Sequence, residues 1–139
     1  MFCIPGFNSR NYTFKFDVFL DGEKKPEFNE KISVFLRRTI QLISFISDYD
    51  VVIKTHNSFP HSSGIASSAS GMSALALCIM SMEKALNPSM SDELFYKKAS
   101  FLARLGSGSA ARSIEGPIVV WGEHKDFEGS NDYYGVKFP

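Results

Sequence analysis

The chain is organised around the stretch Pro60-His61-Ser62-Ser63-Gly64-Ile65-Ala66-Ser67-Ser68-Ala69-Ser70-Gly71. An apolar run, Val51-Val52-Ile53, precedes this stretch, and an amphipathic helical pattern begins near Ser67. A run of small residues that leads into a helix leaves unpaired backbone N–H groups at the helix start, where the helix dipole adds partial positive charge. The stretch therefore favours either the binding of a phosphate or another anion, or a tight structural turn. The local residues alone do not separate these two interpretations.

Length and composition indicate one globular domain. The chain has 139 residues, of which 44% are hydrophobic and 14% aromatic, and this is enough to form a buried core. Fifteen basic residues balance fifteen acidic ones, so we expect neither nucleic acid nor an anionic membrane as a partner. No apolar run reaches the roughly 18 residues of a membrane span, and the N-terminus has no signal-peptide pattern. We therefore expect a cytoplasmic protein.

Hydrophobic periodicity predicts an α+β domain in which helices pack on one face of a mixed or antiparallel sheet. The predicted strands span residues 14–20, 51–56, 117–121 and 133–138, and the predicted helices span residues 27–47, 67–86 and 91–106. Asp21-Gly22 predicts a turn for which no second strand is visible. Ser91 is the predicted N-cap of the last helix, and Gly106 is its predicted stop.

The same patterns give expectations for burial. Val51-Val52-Ile53 is predicted to be a buried strand, Met72 and Met82 to fill the core, and Trp121 to lie in the core. Cys78 is predicted to be a buried free thiol. Arg37 and Arg38 are predicted to be solvated surface charges. The spacing of His56, His61 and His124 does not suit a metal site of three histidines.

A second stretch of small residues follows the last predicted helix: Gly106-Ser107-Gly108-Ser109-Ala110-Ala111-Arg112-Ser113. Backbone N–H groups and a guanidinium fork in such a stretch can hold a phosphate. The alternative is a plain helix–strand connection with a surface arginine. Two such stretches in one short domain favour anion binding, because together they could hold a donor and an acceptor.

Both stretches together resemble a known family. The first is similar to the phosphate-binding motif of the GHMP small-molecule kinase superfamily, and its form resembles diphosphomevalonate decarboxylases. The residues that carry this likeness are Asn57-Ser58-Phe59-Pro60 and Gly64-Ile65-Ala66-Ser67-Ser68-Ala69-Ser70-Gly71. The second resembles the substrate loop of the same enzymes, through Ala103-Arg104-Leu105-Gly106-Ser107-Gly108-Ser109-Ala110-Ala111-Arg112-Ser113, with Gly116 and Trp121 following.

The resemblance implies the N-terminal domain of a GHMP kinase and a reaction of the mevalonate pathway of isoprenoid biosynthesis. It implies ATP and a divalent metal ion, Mg²⁺, which drive the decarboxylation of mevalonate 5-diphosphate to isopentenyl diphosphate. The implied ATP-binding residues are Gly64, Ile65, Ala66, Ser67 and Ser68. The implied substrate-binding residues are Ser107, Gly108, Ser109 and Arg112, and the implied catalytic residues are Ser68, Ser107 and Arg112.

Departures from the family pattern shape the remaining expectations. Ala111 stands where cysteine is common in the family, and Pro117 stands where a second glycine is common. The family's tyrosine-tryptophan-glycine-lysine signature and its later catalytic aspartate do not occur in these 139 residues. We therefore expect residues 1–139 to be an incomplete, central piece of the catalytic domain, without the C-terminal domain and with little or no activity alone.

Three alternatives stay open. One is a related kinase or decarboxylase that acts on mevalonate or its monophosphate, and another is a non-catalytic nucleotide-binding module. The third concerns assembly: an open sheet edge would promote self-association, so a homodimer is also kept as a partner.

Overall fold

The computed structural model describes residues 14–58 and 67–139. In these ranges the chain forms an α+β arrangement of a mixed sheet and packed helices, which confirms the predicted fold class. The strands are β1 (Phe16–Leu20), β2 (Glu23–Lys24), β3 (Val51–Thr55), β4 (Val119–Val120) and β5 (Val136–Lys137). The α-helices are α1 (Asn29–Thr39), α2 (Ser67–Leu86) and α3 (Asp92–Gly106), and 3₁₀ helices span Pro26–Phe28, Ser44–Asp48 and Gly108–Ser113.

The strands form two separate sheets. The mixed sheet has the order β2-β1-β3, in which β1 and β3 run parallel, with Phe16 opposite Val51 and Leu20 opposite Thr55. Strands β4 and β5 pair antiparallel with each other. Each has two residues, so both are much shorter than the predicted strands 117–121 and 133–138. Gly116 and Gly122 flank β4 with φ angles of 71° and 109°, which L-residues rarely adopt, so the extended run is interrupted on both sides.

The hairpin partner that the sequence did not reveal is β2. Asp21 and Gly22 have φ angles of 53° and 85°, as a two-residue hairpin turn with a matching twist requires. The turn sets Leu20 opposite Glu23. Both residues of β2 are exposed, so this strand carries no hydrophobic alternation that a sequence pattern could show.

The predicted helix 27–47 is too long. Helix α1 ends at Thr39, whose carbonyl accepts hydrogen bonds from the N–H groups of Leu42 and Ile43 at 2.8 and 3.1 Å. Ile43 and Ile46 are nevertheless buried, with 0% and 2% of their surface exposed. The apolar period therefore continues past the end of α1, through a turn and a 3₁₀ helix, and for this reason the sequence pattern predicted one long helix.

Helices α2 and α3 pack closely against each other, and Ser91 caps α3 as predicted by accepting a hydrogen bond from the Leu94 N–H at 3.2 Å. Helix α3 ends at Gly106 as predicted, but the glycine is required there for packing. A Cβ atom on Gly106 would lie 2.6 Å from Met72 Sδ and 3.0 Å from Phe35 Cδ2. The missing side chain therefore allows α3 to approach the core, while the helix ends because Ser107 is extended, with φ −158° and ψ 118°.

Four burial predictions are wrong. Cys78 is a free thiol, as expected, but it is exposed, and Met82 is 36% exposed while Met80 is fully buried. The buried face of α2 follows residues 69, 72, 73, 76, 79 and 80. With about 3.6 residues per turn, residue 78 lies on the opposite side of the helix and residue 82 also lies off this face. Val52 in β3 is 57% exposed and Trp121 is 36% exposed. Within residues 14–58 and 67–139, no helix combines the length and apolar character needed to cross a membrane.

Candidate functional site

Residues of the first predicted site divide into two groups. Gly64, Ile65 and Ala66 lie outside the described residues. Ser67 is the first residue of α2, so the helix begins where the sequence predicts, and Ser68 is exposed in the first turn. The start of a helix of 20 residues supplies partial positive charge beside Ser68.

Lys31 is a neighbour of Ser68 that the sequence analysis missed. Its ammonium, on the exposed side of α1, donates a hydrogen bond to Ser68 Oγ. Because the serine oxygen acts as the acceptor, its own O–H remains able to donate to a ligand. The two residues are 37 positions apart in the chain, so no local sequence pattern shows this pairing.

The charge at this point suits an anion. An ammonium, a hydroxyl donor and a helix N-terminus meet there, and each of them favours phosphate oxygens. A metal ion on Ser68 Oγ would be repelled by the Lys31 ammonium. In the described ranges no group of three His, Cys, Asp or Glu side chains could hold a metal ion. Mg²⁺ usually keeps several waters and is held through one or two carboxylates and the substrate phosphates, so a cluster of three protein ligands is not required for it to bind.

The second predicted site is a short 3₁₀ helix, Gly108–Ser113, that follows the extended residue Ser107. The Ser107 N–H donates to the Ala103 carbonyl at 2.9 Å, and the Ser107 carbonyl accepts from the Ala110 N–H at 2.8 Å. Ser107 and Ser109 are partly buried, while Gly108 and Arg112 are exposed. The predicted loop is therefore an ordered element with its arginine on the outside.

Two buried serines hold the inner side of this element. Ser73 Oγ on α2 donates to the Ala110 carbonyl at 3.0 Å, and Ser100 Oγ on α3 donates to the Ala111 carbonyl at 2.8 Å. Ala110 and Ala111 are 0% and 1% exposed. Both serines lie within predicted helices, at positions that no local sequence pattern marks for this role.

The elements that carry the two predicted sites are in contact. Ser73 Oγ also donates to the carbonyl of Ala69, which follows Ser68, at 2.7 Å. The first turn of α2 and the 3₁₀ helix are thus joined through one hydroxyl group. Two cavities of about 470 and 570 Å³ lie elsewhere, beside α3, and neither is lined by Ser68, Ser107 or Arg112.

Trp121 lies beside the second site, so the prediction that it lies in the core is wrong. Its indole N–H donates to the Asp132 carbonyl at 3.1 Å. A Cβ atom on Gly108 would stand 3.5 Å from the ring edge of Trp121. The tryptophan therefore covers one side of the 3₁₀ helix.

Comparison with known proteins agrees with the family resemblance of the two stretches. The family model described as diphosphomevalonate decarboxylase-like N-terminal domain matches residues 9–133. A diphosphomevalonate decarboxylase from Saccharomyces cerevisiae is 33% identical over 81% of this chain and 29% of its own length. The enzyme of that name from Ganoderma lucidum is 46% identical over 55% of this chain and 17% of its own. A phosphomevalonate decarboxylase from Haloferax volcanii is 34% identical over 72% of this chain and 29% of its own.

No solved structure matches the chain. The alignments span between 17% and 29% of the length of these three relatives. The family model, in contrast, covers most of the 139 residues. On this match the chain belongs to the diphosphomevalonate decarboxylase-like N-terminal domain family.

Proposed function

We propose that this chain supplies the ATP-binding and substrate-binding segments for the ATP-dependent decarboxylation of mevalonate 5-diphosphate to isopentenyl diphosphate. The observation that carries the proposal is the contact between two elements: the start of α2, where Ser68 bonds to Lys31 of α1, and the 3₁₀ helix that bears Arg112. Two polyanions must be held side by side in this reaction, so two adjoining cationic segments meet its first requirement.

The start of α2 is the proposed ATP site. Backbone N–H groups of Gly64, Ile65 and Ala66, the hydroxyls of Ser67 and Ser68, and the Lys31 ammonium would hold the phosphates. When bound, Mg²⁺ neutralises part of the phosphate charge. Lys31 adds a fixed positive charge whose position is set by its hydrogen bond to Ser68.

The second segment is the proposed site for the acceptor. Ser107, Gly108, Ser109 and Arg112 would bind the diphosphate and carboxylate groups of the substrate. The γ-phosphoryl group of ATP would pass to the tertiary 3-hydroxyl oxygen: the bond between the γ-phosphorus and the β,γ-bridging oxygen breaks, ADP leaves with that oxygen, and the hydroxyl proton is released to solvent. That phosphate then leaves with its bonding electrons, while the bond to the carboxylate breaks and its electrons form the new double bond of isopentenyl diphosphate, releasing carbon dioxide. Arg112 would fix the carboxylate end, and Ser107 and Ser68 would orient the reacting groups.

A monophosphate substrate is the second candidate. The Haloferax volcanii relative is named a phosphomevalonate decarboxylase and is 34% identical over 72% of this chain. The two substrates differ by one phosphoryl group. Competition between mevalonate 5-phosphate and mevalonate 5-diphosphate for the same site decides which one the segment 107–113 prefers.

Calorimetric titration of the 139-residue chain tests the proposal. The chain should bind ATP in the presence of Mg²⁺ and should bind mevalonate 5-diphosphate, each at its own site. We expect little or no turnover from this chain alone, so binding is the decisive quantity. Binding of ATP without either mevalonate phosphate would instead indicate a nucleotide-binding module, and binding of neither ligand would contradict the proposal.

A further inference from the structure

We propose that Ser73 and Ser100 are positioning residues that hold the segment 107–113 in its substrate-binding shape. Neither serine reaches a ligand, since both are buried, with 3% and 2% of their surface exposed. They act through the backbone carbonyls of Ala110 and Ala111. The inference rests on the proposed function in so far as it assigns the substrate to this segment.

Ser73 joins the two proposed sites. Its hydroxyl lies within hydrogen-bond distance of the Ala69 carbonyl, at 2.7 Å, and of the Ala110 carbonyl, at 3.0 Å. The first acceptor lies in the opening turn of α2 and the second lies in the 3₁₀ helix. One O–H group is therefore shared between the element that carries Ser68 and the element that carries Arg112.

Ser100 joins the segment to Gly135, the residue just before β5. Its Oγ donates to the Ala111 carbonyl at 2.8 Å and accepts from the Gly135 N–H at 2.8 Å. The chain before β5 can come this close because residue 135 is glycine: a Cβ atom there would lie 2.7 Å from the Ala111 carbonyl oxygen. The donor and an acceptor position of the Ser100 hydroxyl are both used, as a buried hydroxyl requires.

The buried side of the segment 107–113 therefore contacts the two serines, and its exposed side is open to a ligand. Ala110 and Ala111 are buried with their carbonyls bound to the two serines, whereas Gly108 and Arg112 are exposed. Removal of either hydroxyl leaves a buried carbonyl without that donor, and an unsatisfied buried acceptor is costly. The segment should then shift or fluctuate, and Arg112 should move with it.

The test compares Ser73→Ala and Ser100→Ala with the control Ser81→Ala. Ser81 donates to the carbonyl four residues earlier, Leu77, at 2.8 Å, as Ser73 does to Ala69, but Ser81 is exposed and bonds within α2. In the full chain, amide hydrogen exchange at residues 107–113 should become about tenfold faster in each buried-serine variant, since one net hydrogen bond is lost. The Ser81→Ala control should exchange at the wild-type rate. Equal exchange in all three variants would overturn the proposal.

Ligand affinities separate positioning from general loss of structure. Ser100→Ala should weaken binding of mevalonate 5-diphosphate about tenfold and leave ATP affinity within about twofold, because Ser100 contacts the substrate segment and not the start of α2. An equal loss for both ligands would contradict the positioning role. If the wild-type chain binds no mevalonate phosphate, the proposed function fails, while the exchange measurement still decides whether the serines hold the segment.

A second pair of variants covers the case in which Ser73→Ala does not fold. Ser73→Thr and Ser73→Val have nearly the same shape, and only threonine keeps a hydroxyl that can bond a carbonyl within a helix. The threonine variant should keep exchange at residues 107–113 about tenfold slower than the valine variant. Equal rates in the two variants would show that the hydroxyl does not hold the segment.

Discussion

The Lys31 ammonium of α1 donates a hydrogen bond to the Ser68 hydroxyl in the first turn of α2. Both residues are exposed, so a ligand can reach them. The pairing brings a full positive charge to a helix N-terminus that already carries a partial one. A lysine 37 positions away thereby becomes part of the proposed nucleotide site.

Replacement of Lys31 should weaken nucleotide binding. Lys31→Met keeps the length and helix propensity of the side chain but removes its charge. A hydrogen bond to a charged group contributes roughly 1.5–3 kcal/mol, so ATP affinity should fall by about tenfold or more. Titration calorimetry with ATP and Mg²⁺ measures the change.

The matched control for this variant is Lys15→Met. Lys15 is also exposed and lies 4.0 Å from the Asp50 carboxylate, just before β1, whereas the first predicted site follows the far end of β3. ATP affinity should stay at the wild-type value in this control. Equal losses in both variants would show that Lys31 acts only through the overall charge of the protein.

Arg112 should contribute more to substrate binding than to ATP binding. Its guanidinium is exposed on the 3₁₀ helix, and the described residues provide no carboxylate that forms an ion pair with it. Arg112→Ala should reduce the affinity for mevalonate 5-diphosphate by about tenfold or more, the effect of losing a charge-assisted phosphate or carboxylate contact. Arg37→Ala, at an exposed arginine of α1, is the control, and equal weakening of both ligands by Arg112→Ala would indicate a structural role.

Gly106 should resist substitution because of packing. The Cβ atom of Gly106→Ala would stand 2.6 Å from Met72 Sδ, and Met72 is buried, so the core must shift. Such overpacking costs about 1–3 kcal/mol, measured as a lower midpoint in urea unfolding. Gly71→Ala is the opposite control: nothing lies within 4 Å of its Cβ position in α2, and alanine there should stabilise the protein by about 0.5–1 kcal/mol. A change of the same sign in the free energy of unfolding of both variants would contradict the packing argument.

The ion pair between Glu93 and Lys97 on α3 gives a pH dependence. The two groups lie 2.6 Å apart, and the hydrogen bond from Lys97 holds the pKa of Glu93 below its ordinary value of 4.5. Because the folded pKa is the lower one, the small stabilisation is present above pH 4.5 and is lost as the pH falls through the folded pKa. Lys97→Met should return the pKa of Glu93 towards its ordinary value, which a carboxyl NMR titration measures. An unchanged pKa would show that the pair does not persist in solution.

Some features of this protein follow from local sequence. The span of α2, the N-cap of α3 at Ser91 and the turn at Asp21-Gly22 depend on residues that are near each other in the chain, and the structure agrees with each prediction. The two stretches of small residues and their family likeness are equally local. They identified the family, and the match over residues 9–133 confirms it.

Only the tertiary structure decided which residues stand beside those stretches. Lys31 reaches Ser68 across 37 positions, and Ser73 reaches Ala110 across the same number, while an apolar period cannot show where α1 ends or that Met80 is buried and Met82 is not. The physical reason is that helix periods, caps and turns depend on interactions within a few residues, whereas hydrogen bonds and packing between elements depend on how the whole chain folds back on itself.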